Sequence, residues 1–313
     1  MSRLRTALVG AGHMGRLHAQ KLAARADVEF AGVADAERGR AEQLAATCRC
    51  RAFADWRQLL GSAEAVVVAV PTERHAEVAG AFLEAGAHVL LEKPIAATLD
   101  EAGELVRAAR AAGRVLQVGH VERFNAAFRA LASSMRRPLY IDAERLSGFK
   151  SRGADVDVML DLMIHDLDLA AALARSPVAT VSACGFRVLT GDIDIANARV
   201  EFASGCVASV TASRVSQAAL RKLRVFQPDL YVSADLQAGR LRYVRQEGEA
   251  ITEREEDHSG GDALAAQAAA FIAAARGEAP PAVSGEDAVR ALELALAVGR
   301  LVRERLERYA GGA

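Results

Sequence analysis

The stretch Asp155-Val-Asp157-Val-Met-Leu-Asp161-Leu-Met-Ile-His165-Asp-Leu-Asp168 sets carboxylates and an imidazole at helical spacing in an apolar background. At about 3.6 residues per turn, Asp157, Asp161, His165 and Asp168 fall within roughly one quadrant of a helix, and Val158, Leu160, Leu162, Met163, Ile164, Leu167 and Leu169 cover the rest. Burying carboxylates is costly unless they meet cations, donors or a polar ligand, and Lys93, His165 and a polar substrate are the partners on offer. The stripe therefore reads as proton-transfer machinery, with His165 as a base that Asp161 orients and stabilises in its cationic form. A core histidine satisfied by the protein itself is the plainer reading of His165 alone. Asp166 points to another face and is expected to be a solvated or capping charge.

Gly10-Ala-Gly12-His13-Met14-Gly15 follows an apolar run and opens a helix-period segment, and Asp35 stands about 20 residues beyond Gly15 at the end of the next run. Strand before, helix after and an acid at that distance form a dinucleotide fingerprint. The glycines admit a pyrophosphate to the helix N-terminus, where backbone N–H groups and the helix dipole favour anions. Asp35 accepts from a ribose 2′-hydroxyl and repels a 2′-phosphate, which favours NAD, although Arg38 lies close enough to blur that choice. Val70-Pro71-Thr72 ends another apolar run at the sheet edge where such ligands bind, so it and His75 just beyond are assigned to the cofactor. A strand-to-helix turn stiffened by Pro71 is the other reading.

Glu92-Lys93-Pro94 comes after a further strand at the same edge, so Glu92 and Lys93 are placed beside the cofactor. A lysine there can hydrogen-bond a substrate hydroxyl, with its pKa lowered by burial and by the positive oxidised ring. Whether Lys93 or His165 takes the proton stays open. His120-Val-Glu-Arg123-Phe-Asn125 leaves the last parallel strand; His120 is expected beside the nicotinamide, and Arg123 and Asn125 on the substrate, with a domain-linking hydrogen-bond cluster as the alternative. Lys150, Ser151 and Arg152, in a loop before the polar stripe, offer a grip on an anion such as a diphosphate, or are simply solvated. Arg221-Lys222-Leu-Arg224 reads as a surface or subunit contact.

These residues need a scaffold, and its periodicity changes partway along the chain. Continuous apolar runs at 6–9, 29–33, 65–70, 88–91 and 115–118 suit strands buried on both faces, and segments such as 17–26 and 100–112 suit crossover helices. This predicts an α/β Rossmann domain, a doubly wound parallel sheet, over residues 1–121. From 122 to 313 an α+β domain is predicted, with helices at 123–135 and 156–174 around a strand at 139–145. Strands at 178–189, 196–202, 206–214, 223–226, 229–234 and 240–244 then form an open, mainly antiparallel sheet, and helices at 262–275 and 285–309 end the chain.

The 39 basic and 40 acidic residues leave a net charge of −1, which removes the broad attraction that nucleic-acid and anionic-membrane binding rest on. Cys48, Cys50, Cys184 and Cys206 make no disulfide framework and imply a reducing cytoplasm. The N-terminal apolar run is too short for a signal sequence, and the alanine-rich stretch 263–275 falls short of the ~20 residues of a membrane span. No metal is expected, because an oxidised nicotinamide and a nearby cation suffice to stabilise an alkoxide.

With the glycine fingerprint, Glu92-Lys93-Pro94 and the Asp161/His165 pair in this order, the chain resembles the Gfo/Idh/MocA family of NAD(P)-dependent sugar and cyclitol dehydrogenases. The resemblance implies a Rossmann domain joined to a domain with an open sheet, often used for oligomer contacts, hence a homodimer or homotetramer. It also implies that Lys93, Asp161 and His165 line the nicotinamide side of the substrate pocket. One departure is that Met159, Leu160 and Met163 stand where many members have glycines, so the helix should pack more tightly and typical sugar specificities should not be carried over. Within the family, the strings Gly119-His-Val-Glu-Arg-Phe-Asn125, Asp157 to Asp168 and Arg224-Val-Phe-Gln-Pro-Asp229 are similar to those of UDP-N-acetylglucosamine 3-dehydrogenases. Those enzymes make the 3-keto nucleotide sugar that an aminotransferase carries towards some lipid A molecules. The expected substrate is thus a nucleotide sugar oxidised at its 3-hydroxyl. An inositol or free-sugar dehydrogenase, a reductase of another unsaturated substrate and a non-catalytic NAD-dependent sensor are the rivals. A sensor would have no reason to keep Lys93, Asp161 and His165 together.

Overall fold

The computed structural model describes residues 3–149 and 157–310, and the chain divides into two compact units: Met1–Val121 with Ala263–Val289, and Glu122–Asp262 with Arg290–Ala313. The first contains β1 (Leu4–Val9), α1 (His13–Ala23), β2 (Val28–Ala34), α2 (Arg38–Cys48), β3 (Arg51–Phe53), β4 (Ala65–Val68), α3 (His75–Glu84), β5 (His88–Leu91), α4 (Leu99–Ala112) and β6 (Leu116–Val118). Its six strands are all parallel, in the order β3-β2-β1-β4-β5-β6. That order reverses direction between β1 and β4, the place where open α/β sheets bind ligands beyond their carboxyl ends. Every residue of β4 is buried, which explains the unbroken Ala-Val-Val-Val run. Local chemistry sets the helix ends: Thr98 and Glu101 form a reciprocal capping box on α4, and Gly113 closes it at φ +61°.

The second unit contains α5 (Ala126–Ser134), β7 (Tyr140–Leu146), a π-helical turn (Met159–Met163), α6 (Ile164–Ala174), β8 (Val178–Phe186), β9 (Ile195–Phe202), β10 (Val207–Ser213), β11 (Leu220–Gln227), β12 (Leu230–Asp235), β13 (Arg240–Glu247) and β14 (Ala250–Asp257). These eight strands form one sheet, β14-β13-β12-β11-β7-β10-β9-β8, antiparallel except where β7 runs parallel to β10. The parallel pair is possible because α6 and the β8–β9 hairpin intervene in sequence and bring the chain back in the same direction. Along β7, Ile141, Ala143 and Arg145 are buried and alternate with more exposed residues. Ile141 and Ala143 belong to a core with Met163, Leu167 and Val210, over which α6 packs on β7 and β10.

The last two helices are α7 (Ala263–Ala275) and α8 (Gly285–Ala310). The sequence pattern predicts α7 in the second domain, but the structure groups it with the first unit. Phe271 and Ile272 insert among Leu8, Ala19 and Leu22, so its apolar face belongs to the Rossmann core. Further differences are local. The helix predicted at 123–135 starts at Ala126, because Asn125 caps it, and β3 and β14 have no counterpart in the predicted strands.

Candidate active site

The three fingerprint glycines are required for three different reasons. Gly10 takes φ +97°, and a Cβ there would lie 2.4 Å from the Ala69 carbonyl oxygen; a Cβ on Gly15 would lie 1.8 Å from the Gly10 carbonyl oxygen. A Cβ on Gly12 meets nothing within 4 Å. Gly12 is the N-cap of α1, and no side chain caps that helix or places an acid in its first turn. The open approach at Gly12 and the uncapped N–H groups fit a pyrophosphate. His13 is exposed and Met14 half-buried beside them.

Asp35 is held rather than loose. Its Oδ2 accepts from the Ala11 N–H at 2.6 Å and its Oδ1 from the Glu37 N–H at 2.8 Å, which leaves lone pairs on both oxygens for a ribose hydroxyl. Arg38 is exposed and bonds Glu42 at 2.7 Å, so its charge is drawn to that neighbour.

The turns after β4 and β5 are joined by His75, which is buried (1% exposed). Its Nδ1 lies 2.8 Å from the Pro94 carbonyl oxygen and its Nε2 3.0 Å from that of Val70. Burial pushes its pKa down, and a neutral imidazole donates to only one carbonyl at a time. The ring is therefore a clip between the two backbone turns that are assigned to the cofactor. Pro71 and Thr72 form the outer part of the first turn, where Pro71 is exposed and Thr72 half-buried. Glu92 is also engaged: its Oε1 lies 2.6 Å from Nε2 of the buried His18, and its Oε2 accepts from the Lys93 N–H at 3.3 Å. Lys93 is half-buried and His120 is buried.

In the second unit the polar stripe is divided. Asp161 and His165 occupy half-buried positions, whereas Asp157 pairs with Arg303 and accepts from the Ile193 N–H. Asp168, 1% exposed, receives a two-pronged bond from Arg123, Nε to Oδ2 at 2.7 Å and Nη2 to Oδ1 at 2.9 Å. The wide turn at Met159–Met163 breaks the α-helical phase, so four residues spaced for a straight helix do not all serve one purpose. Asp166 is buried at 2% exposure, not solvated: Arg145 donates to it twice, at 2.7 and 3.0 Å. Arg123 and Asn125, expected on the substrate, both make bonds within the protein. Arg123 holds Asp168; Asn125 Oδ1 caps α5 through Ala127 and Phe128, and its Nδ2 donates to the Leu236 carbonyl. Lys150, Ser151, Arg152 and Asp155 lie outside the described residues.

Sequence reasoning missed Asp194. Its carboxylate, without solvent exposure, accepts N–H bonds from Val188, Leu189 and Thr190 at 2.7–2.9 Å and the Thr190 hydroxyl at 2.7 Å. The adjacent Ile193 carbonyl accepts from the Val158 N–H at 3.2 Å, so the clamped β8–β9 loop ties down the start of the segment bearing Asp161. Short polar loops such as Thr190-Gly-Asp-Ile-Asp194 do hint at a carboxylate folding back on its own backbone. Among the described residues, no helix is long and apolar enough to cross a membrane and no group of side chains could hold a metal ion.

Residues 4–120 match the Gfo/Idh/MocA oxidoreductase family with an NAD-binding Rossmann fold, and residues 106–227 match a C-terminal domain of the same family. The UDP-N-acetylglucosamine 3-dehydrogenase of Acidithiobacillus ferrooxidans is 38% identical over 98% of this chain and 100% of that protein. Its solved structure superposes with a TM-score of 0.91, covering 96% of this chain and 98% of that one. The scyllo-inositol 2-dehydrogenase (NAD(+)) of Bacillus subtilis is 29% identical over 68% of each chain. The Thermotoga maritima myo-inositol 2-dehydrogenase is 24% identical over 96% of this chain and 97% of that protein. Taken with the glycine cradle and the carboxylate at Asp35, these likenesses make NAD the cofactor, and the chain belongs to the Gfo/Idh/MocA family of oxidoreductases as an NAD-dependent dehydrogenase.

Proposed function

We propose that this protein oxidises the 3-hydroxyl of UDP-N-acetylglucosamine, or of a closely related nucleotide sugar, to the 3-ketone. The observation that carries the reading is the 38% identity to a UDP-N-acetylglucosamine 3-dehydrogenase along essentially the whole of both chains. Bound NAD supplies the ring that accepts the hydride. The first unit would hold it through the Gly10–Gly15 turn, with Asp35 on the ribose and the turns at Val70 and Lys93 completing the site. His165 or Lys93 takes the proton from the sugar hydroxyl, and Asp161 orients the base and stabilises its cationic form. In a protein of net charge −1 a diphosphate must be met by local donors, for which the sequence offers Lys150 and Arg152.

The setting follows from the same reading. The free cysteines suit a reducing cytoplasm, and the ketone would be consumed by an amino-transfer step of the kind that feeds lipid A synthesis. A homodimer or homotetramer would form through the second unit's sheet, where Tyr140 and Phe226 are exposed and Phe226 stacks 4.8 Å from Tyr231.

The inositol dehydrogenases are more distant relatives, and they supply the alternative substrate class. NADH formation from UDP-N-acetylglucosamine, N-acetylglucosamine and myo-inositol separates the two. The proposal expects kcat/KM for the nucleotide sugar to exceed the others by at least about a hundredfold, the value of one or two charged hydrogen bonds to the diphosphate. Comparable turnover of myo-inositol would replace it with the cyclitol reading.

A further inference from the structure

Arg145 stands on the core-facing side of β7, in the interior of the second unit's sheet, where an apolar residue would pack without electrostatic cost. Its Nε and Nη2 hold both oxygens of Asp166, and its Nη1 donates to Glu122 Oε1 at 2.9 Å. Asp166, Glu122 and Arg145 are each no more than 5% exposed. Arg145 also sits directly opposite Arg221 across β7 and β11, a like-charge pair that opposes sheet formation unless a carboxylate joins it. Glu122 Oε1 does so, accepting from Arg221 Nη1 at 3.1 Å. Two carboxylates and two guanidiniums make the cluster neutral. A cluster of this kind gives little stability over apolar packing, but the forked bond fixes direction and distance at once.

What it fixes is the helix. Asp166 follows His165 directly, and neighbouring residues on an α-helix point about 100° apart, so anchoring Asp166 against β7 sets the azimuth of His165. The turn before it is π-helical, with the Ile164 N–H reaching back to the Met159 carbonyl. The backbone ladder therefore does not impose α-helical phase on His165 from upstream.

We infer that Arg145 and Glu122 are positioning residues for the dehydrogenase reaction, acting through Asp166 to set the rotation of the helix that presents Asp161 and His165. The inference rests on the proposed role of His165. The first test is the double variant Arg145→Met/Asp166→Leu, which replaces the forked buried pair with apolar side chains of similar length and leaves Glu122 paired with Arg221. The expected result is a folded protein with a Tm within a few degrees of wild type and a KM for NAD within about twofold. Its kcat on UDP-N-acetylglucosamine should be ten- to a hundredfold lower, the loss that a misplacement of about 1 Å produces. The ring resonance of His165, assigned by its loss in His165→Ala, should shift. A double variant with near-wild-type kcat and an unmoved His165 resonance would overturn the inference. If the double variant does not fold, Arg145→Lys keeps the charge, loses the fork, and is expected to lower kcat about tenfold; unchanged kcat and an unmoved resonance there would overturn it equally. If the wild type oxidises none of the nucleotide sugars, the functional reading fails by itself, and the His165 resonance still decides whether the cluster orients the ring.

Discussion

His18 Nε2 and Glu92 Oε1 lie 2.6 Å apart, which ties the helix after the glycine turn to the turn that carries Lys93. One carboxylate thereby links the dinucleotide cradle to a residue proposed for proton transfer. Glu92→Ala should leave His18 buried without its partner and free the Lys93 backbone. The expected outcome is a loss of about 1–3 kcal/mol in stability and about tenfold in kcat/KM, with a raised KM for NAD. Thermal melts and steady-state kinetics check both, and changes within twofold would show that the link is dispensable.

Gly12 and Gly15 should separate cofactor binding from folding. Gly12→Ala adds a methyl group to space that the protein leaves open, so the variant should melt near wild type and bind NAD at least about tenfold more weakly. Gly15→Ala drives a methyl group into the Gly10 carbonyl and should lower the melting temperature markedly before any NAD is added. Calorimetric titration with NAD, alongside melts of the apoprotein, reads the difference.

Removing the proposed bases should act on chemistry more than on binding. Lys93→Met and His165→Ala are each expected to lower kcat by roughly two to four orders of magnitude with NAD affinity within a few-fold, because general bases act in the transition state. Asp161→Asn should cost less. Near-normal turnover in His165→Ala would make it a core histidine and leave Lys93 as the proton acceptor.

Acid stability should show the signature of Asp194. Burial alone would raise its pKa, but the Leu189, Thr190 and Val188 N–H groups and the Thr190 hydroxyl outweigh that and hold it at about 2, below the usual 3.8. A depressed carboxylate contributes stability that is present above the unfolded value and lost as pH falls through the folded one. About 2 kcal/mol should therefore disappear between pH 4 and pH 2. In Asp194→Asn that part of the acid limb should flatten, and the protein should be less stable at neutral pH. Urea midpoints from pH 7 to pH 2 measure both effects.

Legibility from sequence followed burial. Five of the six Rossmann strands could be read because burial on both faces writes unbroken apolar runs, as in Ala65–Val68, whereas the short, largely exposed β3 has no such run; the glycine cradle could be read from its spacing. Strand β14 was hidden: an exposed edge strand carries Glu253, Arg254, Glu255, Glu256 and Asp257 as protection against pairing, and so has no apolar period. The polar stripe was over-read, since helical spacing gives direction but not partners. Arg303 and Arg123, distant in sequence, claim Asp157 and Asp168, and the π-turn at Met159–Met163 alters the phase. Asp166 looked solvated because its cation, Arg145, sits in a strand where alternation predicts an apolar residue. The helix cap made by Asn125 and the clip that His75 makes between two turns were not legible, because the carbonyls of Leu236 and Pro94 that they bond lie far away in sequence.

The central claim is oxidation at the sugar's 3-position, and UDP-N-acetylglucosamine deuterated at C3 tests it most directly. Transfer of that deuterium to NAD, seen by mass spectrometry of the reduced cofactor together with a 3-keto sugar product, is the predicted result. Reduced cofactor that carries no deuterium while turnover proceeds would place the oxidation at another carbon and contradict the account.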